Sequence, residues 1–334
     1  MCRLRPERGG EIPASATFRA EAAGGGNEMA RPILSIGLPV YNRGKLLEAS
    51  LDALLGQSFE EFELIISDNA STDETEAICR AYARRDPRIR YHRNRSNIGA
   101  PGNFNRTFEL SSTKYFKWAT SDDLCGPTFL ERALEVLEQD STVVLCYAKT
   151  TLIGEDGSPL EDYEDRLHLV EASASERFLR LMTTIGLCHQ HQGVIRSDAL
   201  RQTGMLKSHF RSDLNLLAEL TLYGKFYELP QRLFLRRLHP DASSWVRTDV
   251  ARQMAFYDPG DVHRIVCHCF REHAAYLDAI RRAPIGLGEK VILYRFVLRR
   301  LIQNRDHLGR ELRQRVGSWR AALLGARGGR GLAS

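Results

Sequence analysis

The chain has 334 residues, 43% hydrophobic and 27% charged, which suffices for a sizeable core in one large or two ordinary domains. Its net charge of +5 sits mostly in the stretch 281–330, and no recognised nucleic-acid motif accompanies it. No apolar run approaches the roughly 18 residues of a membrane span, and seven scattered cysteines (Cys2, Cys79, Cys125, Cys146, Cys188, Cys267, Cys269) form no regular disulfide framework, which fits a reducing, cytoplasmic compartment.

Residues 1–30 lack the continuous apolar stretch of a secretory signal and read as a flexible leader, with Met29 as an alternative start. From Pro32 a strand (ILSIGLPVYN) runs into a loop. A helix follows with Leu47, Leu51, Leu54 and Leu55 on one face, then a second strand (FELIISDNAS). STDETEAICRAYARR reads as a helix with Ser71 and Glu74 as a capping box. A short third strand (RIRYHRN), a Gly-bearing loop into a helix, a fourth strand (YFKWAT), a helix opened by Pro127 and the strand VVLCYAKTTLIG complete the first half. This alternation predicts an α/β fold with a mostly parallel central sheet flanked by helices. Ligands bind such sheets at the carboxyl ends of strands, where Asn42, Asp68, Asn94 with Asn97, and Asp122 with Asp123 stand after four successive strands.

The second half is less regular. CHQHQGVIRS reads as a strand with His189 and His191 on one face, and SDLNLLAELTLYG as an amphipathic helix with Asp213 in its first turn. KFYELPQRLFLRRLHP reads as extended segments broken by Pro230 and Pro240; beyond Asp258 the chain is helical and basic.

Two adjacent acids ending an aromatic strand, KYFKWATSDDL, repel one another and are costly to bury without a partner. Such a pair calls for a cation or a dipole as its partner.

The ordered set LPVYNR, IISDNASTDET, NIG and SDD followed by Pro127 resembles glycosyltransferase family 2, over roughly residues 32–244. The resemblance implies a GT-A fold and an inverting transferase that moves a sugar from a nucleotide-diphosphate sugar, a UDP-sugar being favoured, to a hydroxyl acceptor. It implies an Mn2+ or Mg2+ cofactor and a role in polysaccharide or glycoconjugate synthesis. It assigns Pro39, Val40, Tyr41 and Asn42 to the nucleotide pocket, Asp68 to the base edge, and Asn97 and Gly99 to the ribose and diphosphate. Ser121, Asp122 and Asp123 fall on the sugar and metal, with Asp122 the first ligand. Asp123 is a second ligand or a sugar contact. Relatives commonly carry Asp-x-Asp, and the first acid is replaced here by Thr120. By the same resemblance His239 completes metal coordination or touches the diphosphate, Arg236 or Arg237 pairs with phosphate, and Asp213 is the base, with Glu219, on a solvated helix face, as runner-up.

The domain plan expected is a leader (1–30), a nucleotide-sugar half (31–150), an acceptor half (151–250) and a basic helical extension (251–334). The extension either packs on the domain with its arginines solvated or attaches peripherally to an anionic membrane, where a lipid-linked acceptor would lie. His189 and His191 read as acceptor-pocket lining or packing, Trp118 and Trp245 as core or pocket wall. His263, Cys267, His268 and Cys269 read as buried helix residues rather than a zinc site. Two other functions compete: a non-catalytic nucleotide- or sugar-binding protein, and a sugar-phosphate nucleotidyltransferase, against which the single glycine of LPVYNRGK argues.

Overall fold

Seven consecutive residues, Leu34–Val40 (β1), are buried on both faces, the pattern of a central strand in a covered sheet. The computed structural model describes residues 31–240, 256, 257, 259, 268–306, 308–311 and 313. The leader, Trp245, His263 and Cys267 lie outside the described residues.

β1 pairs in parallel with Phe62–Asp68 (β2) and Tyr115–Trp118 (β4), and β2 in parallel with Ile89–Arg93 (β3). Between them run Gly44–Leu55 (α1), Thr75–Arg85 (α2) and Ala100–Glu109 (α3). This half is the parallel sheet expected. Beyond β4 the sheet becomes mixed, in the order β3-β2-β1-β4-β8-β6-β9-β5 with β7 on β6. Leu124–Cys125 (β5), Val143–Ile153 (β6), Pro159–Tyr163 (β7), Val194–Arg196 (β8) and Lys225–Arg237 (β9) supply the rest. Four strand pairings are parallel and four antiparallel.

Strand alternation sorts side chains onto two cores. Leu34, Ile36, Leu38, Tyr115, Cys146 and Val194 pack beneath α1 and Phe129–Gln139 (α4). Phe116, Trp118, Leu145, Tyr147 and Ile195 face Ala174–Thr184 (α5), Ser212–Leu220 (α7), His268–Arg282 (α8) and Leu287–Gln303 (α9). The short Ser197–Arg201 (α6) follows β8. Each such Leu, Ile or Phe contributes about 1.5–3 kcal/mol by leaving water. α3 lies so close to β1 that a Cβ on Gly37 would fall 2.3 Å from Thr107 Oγ1.

Three local expectations change. The capping box does not form, because α2 starts at Thr75 and Asp73 Oδ1 accepts from its backbone N–H (3.0 Å), while the Ser71 hydroxyl turns to the Asn42 N–H (3.1 Å). CHQHQ is not a strand: it is a loop closing in a 3-10 turn, Gln190–Gln192, so His189 and His191 share no strand face. Lys225–Arg237 is one strand, with Pro230 at a bulge where no ladder hydrogen bond is asked of it.

Candidate active site

The register Val40↔Asp68 and Asp68↔Arg93 aligns the first three strand ends. Asp68 is wholly buried; its Oδ2 accepts from Tyr91 Oη (2.7 Å) and Arg93 Nη1 (2.5 Å), and its Oδ1 from the Ser71 N–H (2.8 Å). Burial raises its pKa, but the hydrogen bonds from Ser71, Tyr91 and Arg93 outweigh burial and hold it below the ordinary carboxylate value. The assigned base-reading acid therefore already has three partners. Asn42, in the left-handed region at φ 51°, accepts at Oδ1 from the Thr72 N–H (2.8 Å), and Tyr41 beside it is exposed.

Asparagines hold the next loop. Asn69 Nδ2 donates to Asn97 Oδ1 (2.7 Å), which also takes the Gly99 N–H (2.9 Å), and Asn94 Nδ2 donates to Asn69 Oδ1 (3.1 Å) and Asn103 Oδ1 (2.9 Å). Gly99 has φ 77°, and a Cβ there would meet the Tyr257 carbonyl oxygen at 2.6 Å.

The acidic pair follows β4. Asp122 Oδ2 lies 3.0 Å from His239 Nε2. Burial raises its pKa; the hydrogen bond from His239 and the charge of Arg43 help to reverse this and hold it below the ordinary carboxylate value. Burial and the Asp122 charge push Asp123 the other way. Asp123 Oδ2 accepts from Thr120 Oγ1 (2.9 Å) and Gln192 Nε2 (2.9 Å), and its Oδ1 from the Arg237 N–H (2.9 Å). Its oxygens are thus committed to protein donors, which leaves Asp122 and His239 as the exchangeable pair. The wholly buried Lys117 fixes the turn that carries Gln192 by donating to the Gln192 carbonyl (2.5 Å).

Arg237 is not free to meet phosphate: its guanidinium donates to the carbonyls of Asp122 (2.9 Å), Gly154 (3.2 Å) and Glu155 (2.6 Å). Arg236 turns instead to His189, and both arginines line a cavity of about 550 Å³. Arg236 Nη1 contacts His189 Nδ1 (3.1 Å); the buried His189 reaches Asp165 Oδ2 (3.1 Å) and Thr150 Oγ1 (2.8 Å) through Nε2.

Asp122, Asp123, Asp213 and Arg237 all line this cavity, with Arg236, Arg211, His191 and Gln192 around them. Phe104, Phe210, Leu206 and Ile185 make part of its wall apolar. Pro39, Val40, Tyr41, Asn42, Asp68, Asn97, Gly99, Ser121 and His239 fall outside the lining, along the adjoining strand ends and behind Asp122. Asp213 stands in the first turn of α7, as expected. Burial pulls His191 down to about 4 despite the charge of Asp213, so its ring is neutral. Glu219 departs from expectation: it is buried, pairs with Arg282 (2.8 Å) and accepts from the Gly204 N–H (2.8 Å), because its turn of α7 faces the core. Trp118 is core, donating from Nε1 to the Phe104 carbonyl (3.0 Å). His268 accepts at Nδ1 from the Phe210 N–H (2.9 Å), and Cys269 is buried in α8.

Gln192 and Asp165 escape local sequence patterns. Gln192 reaches Asp123 only because β4 and β8 pair antiparallel, Lys117 opposite Val194.

Among the described residues no three His, Cys, Asp or Glu side chains are grouped to hold a metal. Asp122 and His239 offer one oxygen and one nitrogen, a donor set that fits a cation whose remaining ligands are phosphate oxygens and water.

A parallel half-sheet continued by antiparallel strands, with acids after β4, is the architecture of GT-A glycosyltransferases. The chain belongs to glycosyl transferase family 2, whose profile matches residues 35–204, just over half of its length. Over 133 residues it is 31% identical to TuaG of Bacillus subtilis, covering 40% of this chain and 52% of that protein. The chain thus spans about half the length of this curated relative. Two solved structures share the fold. One is Staphylococcus aureus TarS 1-349, with TM-score 0.51 and 16% identity over 90% of this chain and 93% of that one. The other is the mannosyltransferase PcManGT of Pyrobaculum calidifontis in complex with GDP-Man and Mn2+, with TM-score 0.52 and 16% identity over 91% and 81%.

Proposed function

We propose that this chain transfers a glycosyl group from a nucleoside-diphosphate sugar to a hydroxyl acceptor in a single displacement that inverts the anomeric carbon. The observation that carries the reading is that Asp213 and the Asp122–Asp123 pair line one cavity of about 550 Å³, although Asp123 and Asp213 lie 90 positions apart in the chain. Asp213 would take the proton of the acceptor hydroxyl, which is a poor nucleophile while protonated. Among the described residues that line the cavity no second carboxylate is left over as a covalent nucleophile, since Asp123 is held by three donors and Asp122 faces His239. Residues 31–150 would bind the donor and 151–250 the acceptor.

A divalent cation, Mn2+ or Mg2+, would neutralise charge on the leaving diphosphate when held by Asp122 and His239. Arg236, in the cavity lining, would meet an anionic oxygen of the substrate. TarS has been solved with UDP and with UDP-GlcNAc, and PcManGT with GDP-Man and Mn2+. Both donor classes therefore enter the test, with a UDP-sugar favoured.

A thermal-shift panel of UDP, GDP, dTDP and CMP, each with Mn2+ or with chelator, tests the reading. A ligand at a hundredfold excess over its dissociation constant adds about 2.7 kcal/mol. A metal-dependent shift with one nucleotide, followed by transfer from the matching sugar donor, is the expected result. Binding without turnover from any donor would instead support a non-catalytic binding protein, and no binding at all would overturn both.

A further inference from the structure

Half of the large hydrophobic residues exposed among the described residues lie on one helix, α9: Leu287, Val291, Ile292, Leu298 and Ile302, with Leu287 82% and Ile302 62% exposed. Four of the five share one side of it. Leu287, Val291, Leu298 and Ile302 fall at steps of four, seven and four, which places them on one stripe. The opposite face is anchored. Leu293 and Val297 are buried, Phe296 meets Phe178 of α5 at 6.3 Å, Glu289 accepts from Ser173 Oγ (2.8 Å) and the Ser175 N–H (3.0 Å), and Arg300 reaches the Met182 carbonyl. Rotation to hide the stripe would break all of these contacts.

Basic residues border the stripe. Arg295 and Arg299 are exposed on its edge, and neither forms an ion pair among the described residues. Arg305, Arg310 and Arg313 are exposed beyond the helix end. From Leu287 to Asp306 the single exposed acid is Asp306, 4.0 Å from Arg305. We infer that the outer face of α9 is a docking surface for an anionic lipid bilayer, on which the helix lies in the plane of the headgroups. A large apolar stripe rimmed by unpaired arginines meets both requirements of such a surface, insertion of side chains below the headgroups and attraction to their charge. A second copy of this chain packed on the same stripe would set Arg295 and Arg299 of both copies together with no acids to meet them. Seventeen residues give a helix about 25 Å long, and no helix among the described residues is long and apolar enough to cross a membrane, so the contact is one of lying on the surface.

The test uses the full chain and flotation with vesicles of phosphatidylcholine alone or mixed with phosphatidylglycerol. The expected result is capture by the mixed vesicles, weak capture by phosphatidylcholine, and loss of capture at high salt. Arg295→Glu with Arg299→Glu should weaken partitioning roughly tenfold or more, as should Leu298→Ser with Ile302→Ser. These positions are exposed, so melting temperature and nucleotide binding should match the parent and show that the fold is intact. Capture unaffected by both variant pairs, or no capture by either vesicle, would overturn the inference. So would a shift from dimer to monomer in the serine variant, which would identify the stripe as a contact between copies. Donor binding is read separately, so failure of the docking surface and failure of the transferase reading are distinguishable.

Discussion

Arg236 donates from Nη1 to His189 Nδ1 at 3.1 Å, and this contact fixes the tautomer of a buried imidazole. A guanidinium only donates, so Nδ1 is bare and Nε2 carries the proton, directed at Asp165 Oδ2 and Thr150 Oγ1. Asp165 is itself buried, and its other partners, Gln190 Nε2 (2.5 Å) and Thr150 Oγ1 (3.2 Å), are neutral. The chain Asp165–His189–Arg236 thus ends in a guanidinium held against the cavity wall by a charge that never reaches the cavity.

Reversing that tautomer should release Arg236. His189→Gln can still accept from Arg236 and donate to Asp165, and should keep most activity. Asp165→Asn and His189→Leu should weaken nucleotide binding or turnover roughly ten- to a hundredfold, the scale of one lost hydrogen bond to a charged group. Dissociation constants and melting curves measured together separate this from simple unfolding. Equal behaviour of His189→Gln and His189→Leu would remove the relay.

Asp213 and Glu219 share a helix and should fail in opposite ways. Asp213→Asn should leave donor binding intact and lower kcat by roughly 10²–10⁴, as expected for a lost general base. Glu219→Ala should spare the chemistry per folded molecule and destabilise the protein by about 1–3 kcal/mol, because the buried Gly204 N–H loses its acceptor and Arg282 keeps only Asp278 and the Gln202 carbonyl. Single-turnover kinetics and urea melts read the two effects independently.

Asp122→Ala and His239→Ala should each abolish the difference between Mn2+ and chelator in the nucleotide thermal shift. Thr120→Asp restores an acid ahead of the pair and removes one donor to Asp123; it should strengthen the Mn2+ response. An unchanged metal response in Asp122→Ala would detach the cation from this pair.

The carboxylate of Asp68 makes a signed prediction for stability against pH. Its folded pKa is below the ordinary 3.8, so the native state binds this proton less readily than the unfolded chain. Its contribution is fully present above the unfolded value and is lost as pH falls through the folded one. Asp68→Asn should therefore melt well below the parent at neutral pH, with the gap closing as the solution is acidified. A gap independent of pH would show that Asp68 acts through shape alone.

Much of this was legible from pattern. Unbroken apolar runs such as LSIGLPV mark central strands, and their polar ends locate Asn42, Asp68, Asn97 and Asp122. What escaped depends on contacts distant in sequence. His189 and His191 alternate as strand residues do, yet Lys117 binds the Gln192 carbonyl and a 3-10 turn results. Glu219 looks solvated on a helical wheel because the wheel omits α8, which brings Arg282 to it. Arg236 and Arg237 are adjacent and identical in type; only the sheet decides which one meets His189 and which one is tied to backbone carbonyls.

That decision is made upstream, at the bulge around Pro230. Leu229 stands beside Ala148 and Phe234 beside Thr150, so five steps along β9 answer two along β6. The surplus is odd, and side chains alternate with period two, so the bulge exchanges the faces of everything after it. Deleting one residue between Pro230 and Leu233, with the pairing beyond it shifted by one, would exchange the two arginines, setting Arg237 against His189 and leaving Arg236 to clamp the Gly154 loop. Which of the two arginines meets His189 is therefore encoded as a parity, by how many residues the strand holds and not by which they are.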